Sequence, residues 1–295
     1  MTEVLRYAAF STDPAGGNPA GVVLDAGGLD ERAMQAIAAE VGYSETAFLV
    51  PVSAGRHRVR YFSPLAEVAF CGHATIASAV ALAHRDGPGE LLFDTNAGEI
   101  AVRTEQGADA VLASLVSVPT TTRPATDGEL SALLGALRWA PDDLDPAWPA
   151  HVANAGNDHP VLAAASRARL ADLDYDFAAL GDLMRERGWT TIALFWPEDE
   201  HTVHTRDPFP VGGVVEDPAT GAAAAAFGGY LRSTGRVGAP RRLLLVQGED
   251  MGRRSELVVD VAPDDPRVTV SGSATPIPTG HFTEALSSSQ LPRGL

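Results

Sequence analysis

Apolar positions along the chain recur with a spacing that switches repeatedly between helix and strand. Asp30 precedes an apolar face made by Met34, Ile37, Ala38 and Val41, and Gly42 follows where a left-handed C-cap belongs, which predicts a capped amphipathic helix. The branched and aromatic residues of 44–50 predict a strand directly after it. Val59 and Tyr61 alternate with Arg58 and Arg60 in a second strand that ends at Pro64. Residues 91–93 and 100–103 predict a hairpin turning around Asn96 and Gly98.

Residues 119–126 are rich in Thr and Pro and read as a linker. Beyond them, Thr126 and Glu129 form a capping-box pattern ahead of Leu130, Leu133, Leu134 and Leu137. Leu180, Leu183 and Met184 then mark a helix ended by Gly188, and 191–195 a strand. The expected division is an N-terminal lobe at 1–118, a C-terminal lobe at 119–280 whose last residues cross back, and a tail at 281–295. A faint echo supports duplicated lobes, each with a central helix: His73-Ala74-Thr75 is answered 145 positions later by Pro218-Ala219-Thr220.

Composition narrows the class of function. With 45% hydrophobic and 20% charged residues the 295-residue chain is globular, and its formal charge of -16 argues against nucleic acid or an anionic membrane as partner. No apolar stretch is long enough to span a bilayer. The first residues carry Glu3 and lack the charged-then-apolar pattern of an export signal, and Cys71 is the single cysteine, so a cytoplasmic location is expected. The 22 basic residues besides histidine are all arginines, and without lysine no Schiff base can form.

Three segments are able to carry chemistry. In Cys71-Gly72-His73-Ala74-Thr75, Gly72 allows close approach to the exposed N–H groups of a helix start, where anions bind, and His73 can donate or exchange a proton. The plain alternative is a helix capped by Thr75. In Gly212-Gly213-Val214-Val215-Glu216-Asp217-Pro218-Ala219-Thr220-Gly221, Asp217 either orients a base or substrate amine, or caps the helix over 222–227. In Ser44-Glu45-Thr46, a carboxyl opening a strand in a half-apolar setting suits a group that takes and returns a proton, although most glutamates are solvated surface residues. Cys71 cannot supply both thiols of a two-thiol racemase, and a lone cysteine beside a helix is more often a small buried apolar residue. His151, His159, His201 and His204 show no metal-ligand spacing, so no metal is expected. No phosphate-binding or dinucleotide-binding glycine loop is present.

Taken in order, these segments resemble the PhzF family of phenazine-biosynthesis isomerase-like proteins, with the α+β diaminopimelate epimerase-like fold. The resemblance runs through Gly17-Asn18-Pro19-Ala20-Gly21-Val22-Val23, Ser44-Glu45-Thr46-Ala47-Phe48, Phe62-Ser63-Pro64 with Glu67, and Cys71 to Thr75. It continues through Gly213, Glu216 to Gly221, and Gln247-Gly248 with Met251-Gly252-Arg253. It implies two pseudo-symmetric lobes, each a curved sheet or barrel around a central helix, and a homodimer. It also implies an isomerase without metal or organic cofactor, acting on a small anionic metabolite held between the two helix starts. Glu45, His73 and Asp217 fall on the family's catalytic positions, and Asn18, Gly72, Ala74, Thr75, Gly213, Thr220, Gly221 and Ala222 on substrate-binding ones. Two departures concern specificity: Ala222 stands where the family often has serine, and Pro208 where an aromatic usually follows the arginine at 206. Two rival readings are a non-catalytic small-molecule-binding protein on the same fold and a one-thiol enzyme using Cys71.

Overall fold

The computed structural model describes residues 2–278, so the expected tail at 281–295 lies outside the described residues. The chain divides into two compact units between Val116 and Ser117, two positions before the expected boundary, and from Ser271 onward it returns to the first unit.

The first unit contains β1 (Leu5–Ala9), β2 (Asn18–Val23), α1 (Glu31–Val41), β3 (Glu45–Ser53), β4 (Arg56–Phe62), β5 (Glu67–Val68), α2 (Gly72–Asp86), β6 (Glu90–Thr95), β7 (Gly98–Gln106) and β8 (Val111–Val116). β1 pairs antiparallel with β2, β2 parallel with β3, β3 antiparallel with β4, β4 parallel with β6, and β6, β7 and β8 follow as an antiparallel meander. The ring is closed by a strand far away in sequence, which pairs with both β8 and β1. Eight strands therefore form a closed barrel, and closure leaves its ladder without a free edge. α2 is the helix it surrounds, with every residue from His73 to Ala83 buried. Its alanines and Ser78 keep it narrow enough for that space. The predicted cap geometry of α1 is present: Asp30 accepts from the Ala33 amide, and Gly42 is left-handed at φ 70°.

The second unit contains β9 (Thr121–Pro124), α3 (Asp127–Leu137), β10 (His151–Asn154), β11 (Asp158–Ala163), α4 (Arg167–Ala171), α5 (Phe177–Arg187), β12 (Ala193–Pro197), β13 (Thr202–Pro208), β14 (Glu216–Asp217), α6 (Gly221–Ser233), β15 (Arg241–Gln247) and β16 (Ser255–Val261). The chain then enters β17 (Val268–Pro276), the strand that closes the first barrel. The segment read as a linker is corrected: it holds β9, which pairs antiparallel with β10, because threonines are good strand residues even between prolines. The strand expected at 191–195 begins two residues later.

The second unit repeats the first, pairing for pairing. β10–β11 is antiparallel, β11–β12 parallel, β12–β13 antiparallel, β13–β15 parallel and β15–β16 antiparallel. In each unit a two-residue strand, β5 or β14, pairs with the end of the preceding strand and leads into the central helix. The equivalence is not the one suggested by Ala-Thr, since Thr75 is the fourth residue of α2 whereas Thr220 is the N-cap of α6. Glu67 and Gly72 instead recur 149 positions on as Glu216 and Gly221. Each duplicated glutamate grips an arginine: Arg60 Nε and Nη2, one edge of its guanidinium, donate to the two Glu67 oxygens at 2.7 Å, and Arg206 holds Glu216 in the same two-pronged way, its Nε at 2.9 Å. The two ion pairs fix the short strand, and hence the helix start, to the barrel strand beside it.

Candidate active site

In the first unit the two neighbours of the helix start approach the opening of β3. The parallel register sets Glu45 beside Ala20, and Gly21 is required next to it, because a Cβ there would lie 2.6 Å from Thr46 Oγ1. Glu45 is left with a carboxylate one-fifth exposed. Its Oε2 is 3.5 Å from His73 Nε2, an ion-pair distance when the imidazole is protonated, and 3.5 Å from Cys71 Sγ. Cys71 Sγ lies 3.3 Å from His73 Nδ1, and Ser44 Oγ 3.4 Å from His73 Nε2. His73 and Cys71 are buried.

The helix starts themselves are unusual. α1, α3, α4 and α5 each receive a side-chain cap, from Asp30, Thr126, Ser166 and Asp176. α2 and α6 receive none, and neither has an acidic residue in its first turn. Their first amides are thus left to another acceptor, with the positive end of the helix dipole behind them. A side chain at Gly72 would meet nothing within 4 Å, so the space over α2 is open.

The residues expected to bind substrate fall into two groups. Gly72, Gly221 and the half-buried Ala222 stand at the helix starts, while Gly213 is left-handed at φ 79° and exposed after a 3-10 turn. Asn18, Ala74, Thr75 and Thr220 are buried. Thr75 does not cap α2 through its hydroxyl. That hydroxyl donates to the Cys71 carbonyl at 2.6 Å and meets the buried Tyr61 hydroxyl at 2.6 Å. Its role is therefore to hold the helix start.

In the second unit the N-cap of α6 is Thr220 rather than Asp217; Asp217 lies in β14 and accepts from the Thr220 hydroxyl at 2.6 Å. That bond occupies the hydroxyl that would otherwise cap the helix. Gln247 clamps the turn through three bonds: its Oε1 accepts from the Thr220 amide at 3.0 Å, and its Nε2 donates to the Asp217 carbonyl at 2.8 Å and to Thr220 Oγ1 at 3.0 Å. Gly248 lets this strand pass close by, since a Cβ there would lie 2.8 Å from the Pro218 carbonyl. The Gln-Gly pair belonged to the sequence resemblance, but its clamping role is visible only in the structure.

A second acid that sequence reasoning missed lies beside Asp217. Asp207 is buried, and its Oδ1 accepts from the Thr191 hydroxyl at 2.9 Å. The same hydroxyl lies 2.8 Å from His159 Nδ1, so Thr191 links the buried acid to the buried imidazole. Burial, reinforced by the charges of Asp217 and Glu216, pushes the Asp207 carboxyl well above the usual carboxylate range. Burial also pulls His159 down to about 4.

The sequence matches the family described as Phenazine biosynthesis-like protein over residues 7–280. It is 35% identical over 268 residues to an uncharacterized isomerase of Deinococcus radiodurans, covering 88% of this chain and 87% of that one. It is 32% identical over 274 residues to a trans-2,3-dihydro-3-hydroxyanthranilate isomerase of Pseudomonas chlororaphis, covering 90% and 93%. A crystal structure of a Bacillus anthracis phenazine biosynthesis protein of the PhzF family superposes with a TM-score of 0.84 at 26% identity, covering 94% of this chain and 97% of that one. The diaminopimelate epimerase-like fold expected from the motifs is thereby established. Among the described residues no helix is long and apolar enough to cross a membrane.

Proposed function

Since this chain belongs to the phenazine biosynthesis-like family, we propose that it is an isomerase that moves a proton between two carbons of a small, carboxylate-bearing cyclic amino or hydroxy acid, with Glu45 as the acid/base. The observation that carries this reading is the placement of a largely shielded, partly exposed carboxylate next to His73 and the uncapped start of α2. The amides of that helix start supply donors for a substrate carboxylate, and the Glu45 carboxylate takes a proton from one carbon and returns it to another. No redox change occurs: the C–H bond broken at one carbon is replaced by one formed at another, and while the proton sits on the partly exposed Glu45 it exchanges with solvent. His73 polarises the substrate. Asp217, its carboxylate fixed by Thr220, is assigned to substrate binding from the family pattern. The protein acts as a cytoplasmic homodimer without cofactor in this reading.

The test is deuterium incorporation from heavy water, followed by mass spectrometry, into trans-2,3-dihydro-3-hydroxyanthranilate and a panel of cyclic amino and hydroxy acids. Glu45→Gln keeps the size and loses the base, so its exchange falls by about 100- to 10,000-fold. Exchange at the wild-type rate in that variant rejects the assignment.

A second reading is favoured by one distance: Cys71 Sγ, 3.5 Å from Glu45, is close enough to be the proton carrier itself. If it is, Cys71→Ala loses exchange as completely as Glu45→Gln.

A further inference from the structure

The donor atoms of Glu45, Cys71 and His73 also match a ligand other than a proton. Among the described residues they form the one cluster of three metal-ligating side chains whose donors lie within 4.8 Å of one another. Oε2 to Sγ and Oε2 to Nε2 are each 3.5 Å, and Sγ to Nε2 is 3.8 Å. A zinc ion bonded at its usual distances to sulfur, nitrogen and oxygen in a tetrahedron holds neighbouring donors about 3.3–3.6 Å apart. The three atoms therefore stand at nearly the separations of one face of such a tetrahedron, and because Sγ lies closer still to Nδ1 of the same ring, at 3.3 Å, a turn of the His73 ring is what aims its lone pair at an ion shared with the thiolate.

The donor set is suited to zinc on chemical grounds as well. Thiolate, imidazole and carboxylate together select a borderline ion over magnesium or calcium, which prefer oxygen alone. Two anionic ligands, a Cys71 thiolate and a Glu45 carboxylate, balance the charge of the ion, with His73 neutral. Two of the three ligands are buried, while Glu45 is one-fifth exposed and gives an ion its approach from solvent. The chain's net charge of -16 concentrates cations around it.

We propose that Glu45, Cys71 and His73 form a binding site for a zinc-class divalent ion, and that the ion inhibits the enzyme by occupying its acid/base group. On binding, a Zn–S bond replaces the S–H bond of Cys71, whose proton passes to the buffer, and Glu45 and His73 complete the coordination through lone pairs. No oxidation or reduction is involved. The inhibitory half rests on the function proposed above, whereas the binding half does not.

The experiment uses the full chain, stripped with a chelator and titrated with Co²⁺ as a coloured stand-in for Zn²⁺. One equivalent binds, with a thiolate-to-cobalt charge-transfer band in the near ultraviolet and the strong visible bands of tetrahedral cobalt. Cys71→Ser, which keeps the shape, abolishes the charge-transfer band. It also weakens Zn²⁺ binding by at least the ~10- to 100-fold that loss of an outer-shell partner costs at metal sites. His73→Asn weakens it comparably, and circular dichroism of each variant checks that the fold persists. Absence of a cobalt spectrum, a bound equivalent without the thiolate band, or wild-type affinity in both variants overturns the site. Zn²⁺ suppresses deuterium exchange reversibly, with EDTA restoring it. Binding with the full spectrum but without inhibition leaves the site standing and overturns Glu45 as the acid/base, so the two claims fail separately.

Discussion

Asp207 stands directly opposite Asp217 in the antiparallel pairing of β13 with β14, so two carboxyl groups share one face of a strand pair. Burial, with the neighbouring charges of Asp217 and Glu216, pushes the carboxyl of the buried member well above the usual carboxylate range. Asp217, tied to the Thr220 hydroxyl, is the member assigned to substrate binding from the family pattern.

Asp207→Asn is therefore expected to stabilise the protein at neutral pH. The unfolded chain ionises this carboxyl above an ordinary 3.8, while the folded chain does so only at higher pH, so wild-type stability is lost from this group as pH rises. Asparagine still accepts from Thr191 and does not titrate. Urea denaturation is expected to show a gain at pH 7 that shrinks to nothing toward pH 4. A loss at pH 7 contradicts an upward shift of the Asp207 carboxyl.

His159 works in the opposite direction. Folded, it takes a proton only near 4, against 6.5 for an ordinary histidine, so the unfolded chain binds the proton first as pH falls. Stability from this group is full above 6.5 and declines by about 3 kcal/mol between 6.5 and 4. His159→Asn, which offers Thr191 a donor without titrating, flattens the stability profile in that window.

The duplicated ion pairs allow a comparison within one molecule. Arg206 and Glu216 are 9% and 5% exposed, against 24% and 22% for Arg60 and Glu67. Removing one partner of a buried pair strands the other charge, at a cost of about 3–5 kcal/mol, while a pair open to water contributes about 1 kcal/mol or less. Glu216→Gln is thus expected to destabilise by several times as much as Glu67→Gln in the same denaturation assay.

Gln247→Leu leaves the Thr220 amide and the Asp217 carbonyl without the bonds that hold the turn. A destabilisation of about 2–4 kcal/mol follows from stranding them. Because Asp217 is released as well, deuterium exchange falls mainly through a raised KM. A variant with normal stability and KM shows that the clamp does not position Asp217.

Much of this architecture was readable along the chain, for identifiable reasons. The caps of α1 and α3 and the hairpin of β6 with β7 depend on local chemistry, which the sequence states directly. The proximity of Glu45 and His73 followed from their motifs. Closure of the first barrel by β17 was not readable in detail, because Val268–Pro276 meets partners more than 150 positions away. Equivalence of the Arg–Glu pairs was hidden by the 3-10 turn Pro210–Gly212, which lengthens the second connection by three residues. Asp207 was missed because Arg-Asp-Pro reads as a surface turn; only its register against Asp217 and its bond to Thr191 reveal a buried acid.

The central claim is that the carboxylate of Glu45 carries the proton, and the most direct measurement is the rate of deuterium wash-in catalysed by wild type, Glu45→Gln and Cys71→Ala side by side. The account predicts that Glu45→Gln falls by about 100-fold or more while Cys71→Ala stays well above it. Wild-type exchange in Glu45→Gln, or collapse of Cys71→Ala to the same floor, contradicts it.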